Sequence, residues 1–143
     1  MALSATVYNW AKSDFLKGNI DLDTSAKCAL LTTAYTPDID SHHYWSDVSA
    51  YEVAGTGYTA GGATLTNVST TVDTANDRAY IDADDTSWSN ATLSNLRYAV
   101  IYYPTGDPAT SPLVGYINFG STKSLTDGTF TIAWDSGGVI RIT

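Results

Sequence analysis

The sequence predicts a mainly β protein, a single antiparallel β-sandwich of jelly-roll or immunoglobulin-like type with one short N-terminal helix. Roughly eight to ten short runs of β-branched and aromatic residues are separated by turn residues about every 8–12 positions. At 143 residues, with 43% hydrophobic and 15% charged residues, the chain is long and apolar enough to bury one core. Helical spacing occurs only near the N-terminus.

A long hairpin is predicted at the centre of this fold. The run Arg97–Tyr103 is apolar at both odd and even positions, which indicates a strand covered on both faces. A second run, Leu113–Phe119, is nearly as apolar. The residues between them are rich in turn formers, namely Pro104, Gly106, Pro108 and Pro112.

The first eighteen residues form a segment of their own in this prediction, with the β-sandwich domain at residues 19–143. Tyr8, Ala11 and Phe15 recur at helical spacing, and Gly18 is a natural helix end. Two placements remain open for residues 1–18. The segment is either a short helix on an edge of the sheet or an arm that docks onto a neighbouring molecule.

The N-terminal segment is more apolar and aromatic than an exposed leader requires. We therefore predict that Met1 to about Trp10 contacts a neighbouring chain instead of completing its own fold, since buried aromatic anchors concentrate interface energy. Surface aromatics further along the chain are added as contact candidates. The predicted interface residues are Leu3, Val7, Tyr8, Trp10, Tyr44, Trp45 and Tyr103.

The remaining strands are predicted from short runs bounded by turn residues. The glycine-rich stretch Ala54–Gly62 is interpreted as a turn or β-bulge, because a phosphate-binding loop needs a lysine or a following helix, and neither is present. The predicted strands lie at Asn19–Asp23, Lys27–Thr32, within Ala63–Val72, and at Arg78–Asp82, Thr129–Trp134 and Val139–Thr143.

Charge and hydropathy limit the partners and the location. The formal net charge is −8 and the pI is about 4.3, which disfavours nucleic acid as a partner. The sequence has no apolar run long enough to span a membrane and no signal-peptide pattern at its start, so we expect no membrane partner and synthesis in a cytoplasm.

No constellation of catalytic or ligating residues stands out. Cys28 lies in an apolar run and is interpreted as a buried thiol, and Glu52 is the only glutamate. The adjacent pair His42-His43 lacks zinc-ligand spacing. Calcium is conceivable at Asp38/Asp40 or at Asp82/Asp84/Asp85, but solvated turn aspartates are the favoured interpretation. We therefore predict no enzymatic activity, no catalytic residues, no cofactor and no metal.

Several stretches together resemble a family of small phage and prophage proteins, and the resemblance covers nearly the whole chain. The stretches are GTGYTAGG followed by ATLTN, RYAVIYYPTG with SPLVGYINFG, the ending GTFTIAWDSGGVIRIT, and, nearer the start, LKGNIDLDT, LLTTAYTPD and His43-Tyr44-Trp45-Ser46-Asp47. These motifs belong to turns and strands. They carry no catalytic residues.

The resemblance implies a virion structural protein, best interpreted as a capsid decoration (cement) protein on the outside of the head. Its partners would be the major capsid protein and other copies of itself, as a trimer or dimer, after synthesis in the host bacterial cytoplasm. Two alternatives remain open. One is a tail, baseplate or fibre-associated protein; the other is a carbohydrate-binding module that uses Trp10, Trp45 or Trp88 as stacking platforms.

Overall fold

The computed structural model describes residues 2–143 and confirms the predicted fold class. The protein is mainly β, with two antiparallel sheets in a sandwich-like arrangement and one α-helix near the N-terminus. The larger sheet has the strand order β1-β7-β6-β2-β3 and the smaller one β4-β5-β8. This order is the part of the topology that the sequence left open.

The elements follow one another along the chain as short pieces around one long hairpin. Two short 3₁₀ turns, Trp45–Asp47 and Ser49–Tyr51, lie between β2 and β3. The helix and strands are β1 (Thr6–Val7), α1 (Asn9–Lys17), β2 (Lys27–Thr32), β3 (Ala63–Thr64), β4 (Ser69–Asp73), β5 (Arg78–Asp82), β6 (Thr86–Tyr102), β7 (Leu113–Ile132) and β8 (Ile140–Ile142).

The predicted central hairpin is present and longer than expected. Strands β6 and β7 pair from Tyr102 opposite Leu113 down to Thr86 opposite Ile132. Strand β6 also pairs with β2, so the predicted apolar run lies between two neighbouring strands. The predicted strand at Thr129–Trp134 is present as far as Ile132, but it is the end of β7 and not a separate strand.

Strand β6 keeps one face buried over its whole length by means of bulges. From Trp88 to Ala91 it advances by one residue more than β7 opposite, and the same happens between Leu93 and Leu96. Asn90 and Asn95, inside these two steps, have left-handed backbone angles, φ 51° and 58°. Asparagine tolerates this conformation better than most residues. Each bulge shifts the alternation by one residue, so Trp88, Ala91, Leu93 and Leu96 all point inward.

The glycine-rich segment crosses the larger sheet at very close range. A Cβ atom on Gly55 would lie 2.1 Å from the carbonyl oxygen of Thr92, and one on Gly62 would lie 2.1 Å from that of Cys28. The amide of Thr92 also donates to the carbonyl of Thr56 across 3.0 Å. The glycines therefore serve a close backbone approach, in line with the prediction of a structural loop.

The two sheets and the helix share one buried cluster. It includes Ala11 of α1, Leu30 of β2, Val100 of β6 and Ile140 of β8. Gly115 of β7 makes room for this packing, since a Cβ there would come within 3.2 Å of the Ile140 side chain. The chain thus has the core of one domain, as its length predicts.

One prediction about the first part of the chain is wrong, and a second is wrong in part. Asn19–Asp23 forms no strand, and a turn begins at Leu22. The N-terminal segment, from residue 2 onward, completes its own fold: β1 pairs with β7, and the amides of Leu3 and Ala5 donate to the carbonyls of Ala133 and Val139. These contacts make residues 3–8 part of the chain's own fold, so the prediction is wrong where it left them outside that fold. Whether the segment also contacts a neighbouring chain stays a prediction. Met1 lies outside the described residues.

Candidate interaction surface

Tyr8, one of the predicted interface residues, is fully buried. Its hydroxyl lies 2.5 Å from that of Tyr35, and the Tyr35 hydroxyl lies 3.1 Å from Nδ1 of His42. Burial raises the pKa of Tyr8 far above its ordinary value and that of Tyr35 to about 12. Tyr8 therefore anchors the N-terminal segment to the loop before the first 3₁₀ turn, and in this structure it is not available to a partner.

Trp10 lies on the surface two residues later, with 43% of its area exposed. Its ring stacks on His43 at a centroid distance of 4.5 Å and an interplanar angle of 12°. His43 stacks in turn on Tyr44 at 3.8 Å and 24°. We call this continuous stack of Trp10, His43 and Tyr44 the aromatic shelf.

Two aspartates hold parts of the shelf in position by hydrogen bonds. Nε2 of His43 lies 2.8 Å from Oδ2 of Asp14, a buried carboxylate on α1 whose other oxygen accepts from Asn19. Oδ2 of Asp47 accepts from the backbone amides of both His43 and Tyr44, each at 2.8 Å. Asp14 thus orients the His43 ring, and Asp47 holds the backbone that carries His43 and Tyr44. Such ordering would lower the conformational entropy lost on binding a partner.

The tip of the long hairpin abuts the same loop. Tyr44 forms a bridge with Pro112, and the amide of Trp45 donates to the carbonyl of Ser111 at 2.8 Å. Tyr103, half-buried, donates its amide to the carbonyl of Pro112. Trp45 itself is buried, with its ring stacked on Tyr102 at 4.7 Å and 4°.

The structure thus brings only part of the predicted interface set together. Trp10 and Tyr44 belong to the shelf, and Tyr103 lies beside the Tyr44–Pro112 bridge, whereas Tyr8 and Trp45 are core residues. Leu3 bridges Trp134 and Val7 pairs with Gly115, both outside the shelf. Whether any of these residues contacts a partner stays a prediction.

Burial also decides which tryptophans offer a flat surface to a ligand. Trp45 and Trp88 are buried, so two of the three stacking platforms predicted for a carbohydrate-binding module are closed. Trp10 remains. His43 also belongs to the shelf, and the His42-His43 dipeptide gives no sign that its ring lies between those of Trp10 and Tyr44.

The single glutamate occupies a half-buried polar site. Oε2 of Glu52 accepts from the Tyr58 hydroxyl at 2.6 Å and from the amide of Gly61 at 2.8 Å. Burial raises the pKa of Glu52, against the opposing effect of these two hydrogen bonds and of Lys27. The Tyr58 hydroxyl also accepts from the amide of Leu30, so the group ties the glycine-rich loop to β2.

The other candidate groups have structural positions. Cys28 is fully buried and its burial raises the pKa of the thiol. Asp38 accepts from the amides of Asp40 and Ser41 in a turn, and Asp84 accepts from Thr66 and Asn67. Within residues 2–143, no three His, Cys, Asp or Glu side chains come together in a way that could hold a metal ion.

No protein-family model matches the chain, and no curated protein shows significant similarity to it. Among the described residues, no helix has the length and apolar character needed to cross a membrane. The fold and surface define a mainly β domain that carries an aromatic shelf, in which Trp10 is exposed and His43 and Tyr44 are half-buried.

Proposed function

We propose that this protein is a phage virion structural protein, a capsid decoration protein that binds the outside of the head shell and stabilises it. The aromatic shelf is the observation that carries the proposal. The resemblance to small phage and prophage virion proteins suggests that the partner of this surface is a component of the virion.

The shelf suits protein binding because it combines aromatic area with rigidity. Tryptophan and tyrosine are enriched among the residues that dominate interface energies. Here Trp10 exposes 43% of its area, while its stacking on His43 and the pairing of His43 with Asp14 hold the ring in place. The net charge of −8 favours a shell surface that presents positive charge around the contact.

Co-sedimentation with purified head shells tests the proposal. Replacing Trp10 with alanine removes the outer ring of the shelf, and we expect a binding loss of about 2 kcal/mol, roughly thirty-fold in Kd. Tyr51→Ala is the matched control, since Tyr51 is a similarly exposed aromatic outside the shelf, at 38%. Failure of the wild-type protein to pellet with shells, or equal binding by W10A, would contradict the proposal.

Two parallel binding assays test the alternative functions. Binding to purified tails or baseplates, with none to heads, would assign the protein to the tail. A carbohydrate-binding module is favoured by the exposed Trp10 ring alone. Retention on a glycan array that W10A abolishes, without shell binding, would establish that function instead.

A further inference from the structure

A buried chain of hydrogen bonds joins the N-terminal segment to the loop after β2. The hydroxyl of Tyr8, between β1 and α1, lies 2.5 Å from that of Tyr35, and the Tyr35 hydroxyl lies 3.1 Å from Nδ1 of His42. Tyr8 is fully buried and Tyr35 is only 1% exposed. Within residues 2–143 neither hydroxyl has a further hydrogen-bond partner, so both depend on this chain.

The number of hydrogens in this chain fixes the state of His42. Each of the two contacts takes one hydrogen, and the two hydroxyls supply two. Both hydrogens are used when Tyr8 donates to Tyr35 and Tyr35 donates to an unprotonated Nδ1 of His42. A neutral His42 in this chain therefore carries its hydrogen on Nε2.

A proton on Nδ1 of His42 brings a third hydrogen to the same two contacts. Nδ1 must then donate to the Tyr35 oxygen, and the hydroxyl hydrogen of either Tyr35 or Tyr8 is left without an acceptor. A buried donor without a partner is costly, because it has given up its hydrogen bond to water. Histidine is the side chain that changes charge between pH 5 and pH 8, so this conflict arises on mild acidification.

The other ionisable groups around His42 keep one charge state over this range. Burial raises the pKa of Tyr35 to about 12 and that of Tyr8 still further, so both phenols stay neutral. Hydrogen bonds from Ser41 hold the pKa of the Asp38 carboxyl below its ordinary value, so this group stays ionised. Its negative charge favours the imidazolium, whereas the hydrogen-bond chain opposes it.

The backbone of the N-terminal segment is attached to the same loop. The amide of Asn9 donates to the carbonyl of Ile39 across 2.9 Å, and its side-chain amide donates to Asp40. We propose that His42 is a pH-dependent switch, whose protonation breaks the Tyr8–Tyr35–His42 chain and weakens the attachment of the N-terminal segment to this loop. Trp10 is the next residue, so acid also loosens the aromatic shelf.

Nitrogen-15 NMR of the histidine rings tests the starting state in the wild-type protein. At about pH 8 we expect His42 to carry its hydrogen on Nε2, with Nδ1 showing the shift of an unprotonated nitrogen. A hydrogen on Nδ1 at this pH would overturn the proposal, because the chain would already hold three hydrogens. This measurement needs no variant.

Amide hydrogen exchange at Asn9 tests the switch, with Tyr35→Phe as the variant that interrupts the chain. Phenylalanine keeps the ring and removes only the middle hydroxyl. Tyr98→Phe is the matched control, since the Tyr98 ring packs edge-on against Tyr35 at 5.4 Å and is not part of the chain. The neighbouring titratable pair, Asp14 with His43, is unchanged in all three proteins.

In the wild type and in Y98F, we expect the protection factor of the Asn9 amide to fall about tenfold between pH 7.5 and pH 5, the effect of one buried donor without a partner. In Y35F the protection factor should stay nearly constant. An equal fall in Y35F, no fall in the wild type, or a constant value in Y98F would overturn the proposal. The experiment uses the isolated protein, so its outcome is independent of the decoration assignment.

Discussion

At the scale of single residues, Glu52 links stability to pH. Its raised pKa means that the folded protein holds the proton more tightly than the unfolded chain does. The contribution of this group to stability is therefore fully present below the unfolded pKa, near 4.5, and is lost as the pH rises through the folded pKa. Carboxylates whose pKa is lowered on folding, such as Asp135, stabilise the folded protein above their unfolded pKa, and this stabilisation is lost as the pH falls through the folded pKa.

Glu52→Gln isolates this effect, because the aspartates are common to both proteins. We expect the stability of the variant relative to wild type to increase between pH 4 and pH 7, as the wild-type carboxyl ionises in its half-buried position. Urea unfolding at several pH values measures the difference. A difference that is constant over this range would show that burial does not control the ionisation of Glu52.

The fold requires a glycine at position 55. Alanine there would place Cβ 2.1 Å from the Thr92 carbonyl oxygen, so the loop must move away from β6. We expect a loss of about 1–3 kcal/mol in the free energy of unfolding, as in other overpacked sites. Gly128→Ala is the control, since a Cβ there would lie 3.6 Å from the Leu125 side chain, an ordinary contact. Equal effects of the two substitutions in thermal unfolding would refute the close approach.

At the scale of elements, the long hairpin shows what sequence patterns can reveal. The apolar runs at 97–103 and 113–119 identified the half of the hairpin nearest its turn, since continuous apolar strands are recognisable without knowledge of their partners. The half farther from the turn was predicted only at Thr129–Ile132, because the inward residues of β6 in that half do not alternate strictly. The signal was present in the repeated spacing of Trp88-x-Asn90-Ala91 and Leu93-x-Asn95-Leu96, in which asparagine marks each bulge.

A substitution at Asn95 tests the bulge. Asn95→Val forces a β-branched residue into φ 58° and should cost about 1–3 kcal/mol, whereas Asn95→Gly should leave stability nearly unchanged. Chemical denaturation of both variants measures the difference. Because the side chain of Asn95 is exposed, lost packing cannot account for a large effect of valine. Similar stabilities for the two variants would show that the left-handed conformation is not required.

At the scale of the whole molecule, the N-terminal segment contributes one aromatic residue, Tyr8, to the core and another, Trp10, to the surface. Its amphipathic spacing predicted a helix correctly, but which ring faces inward depends on Tyr35 and His42, far along the chain. The same limit applies to the aromatic shelf, which joins α1 to a loop about thirty residues later. Long-range contacts of this kind leave no mark on local sequence.

Tyr8 and Trp10 should therefore respond differently to truncation. We expect Tyr8→Ala to cost about 3–5 kcal/mol in the free energy of unfolding, because it empties a fully buried site. Trp10→Ala should change stability by only about 1 kcal/mol while weakening shell binding. Calorimetry of both variants provides the comparison. A stable Y8A protein together with an unfolded W10A protein would reverse the assignment of these residues to core and surface.

The location and copy number of the protein in the virion test the central proposal most directly. Quantitative mass spectrometry of purified particles, separated into heads and tails, counts the protein relative to the major capsid protein, and cryo-electron microscopy of the heads locates it. Decoration of the shell predicts on the order of hundreds of copies, all with the head and outside the capsid lattice, since each repeated lattice site offers a binding position. A handful of copies at the tail, or none in the particle, would contradict the proposal.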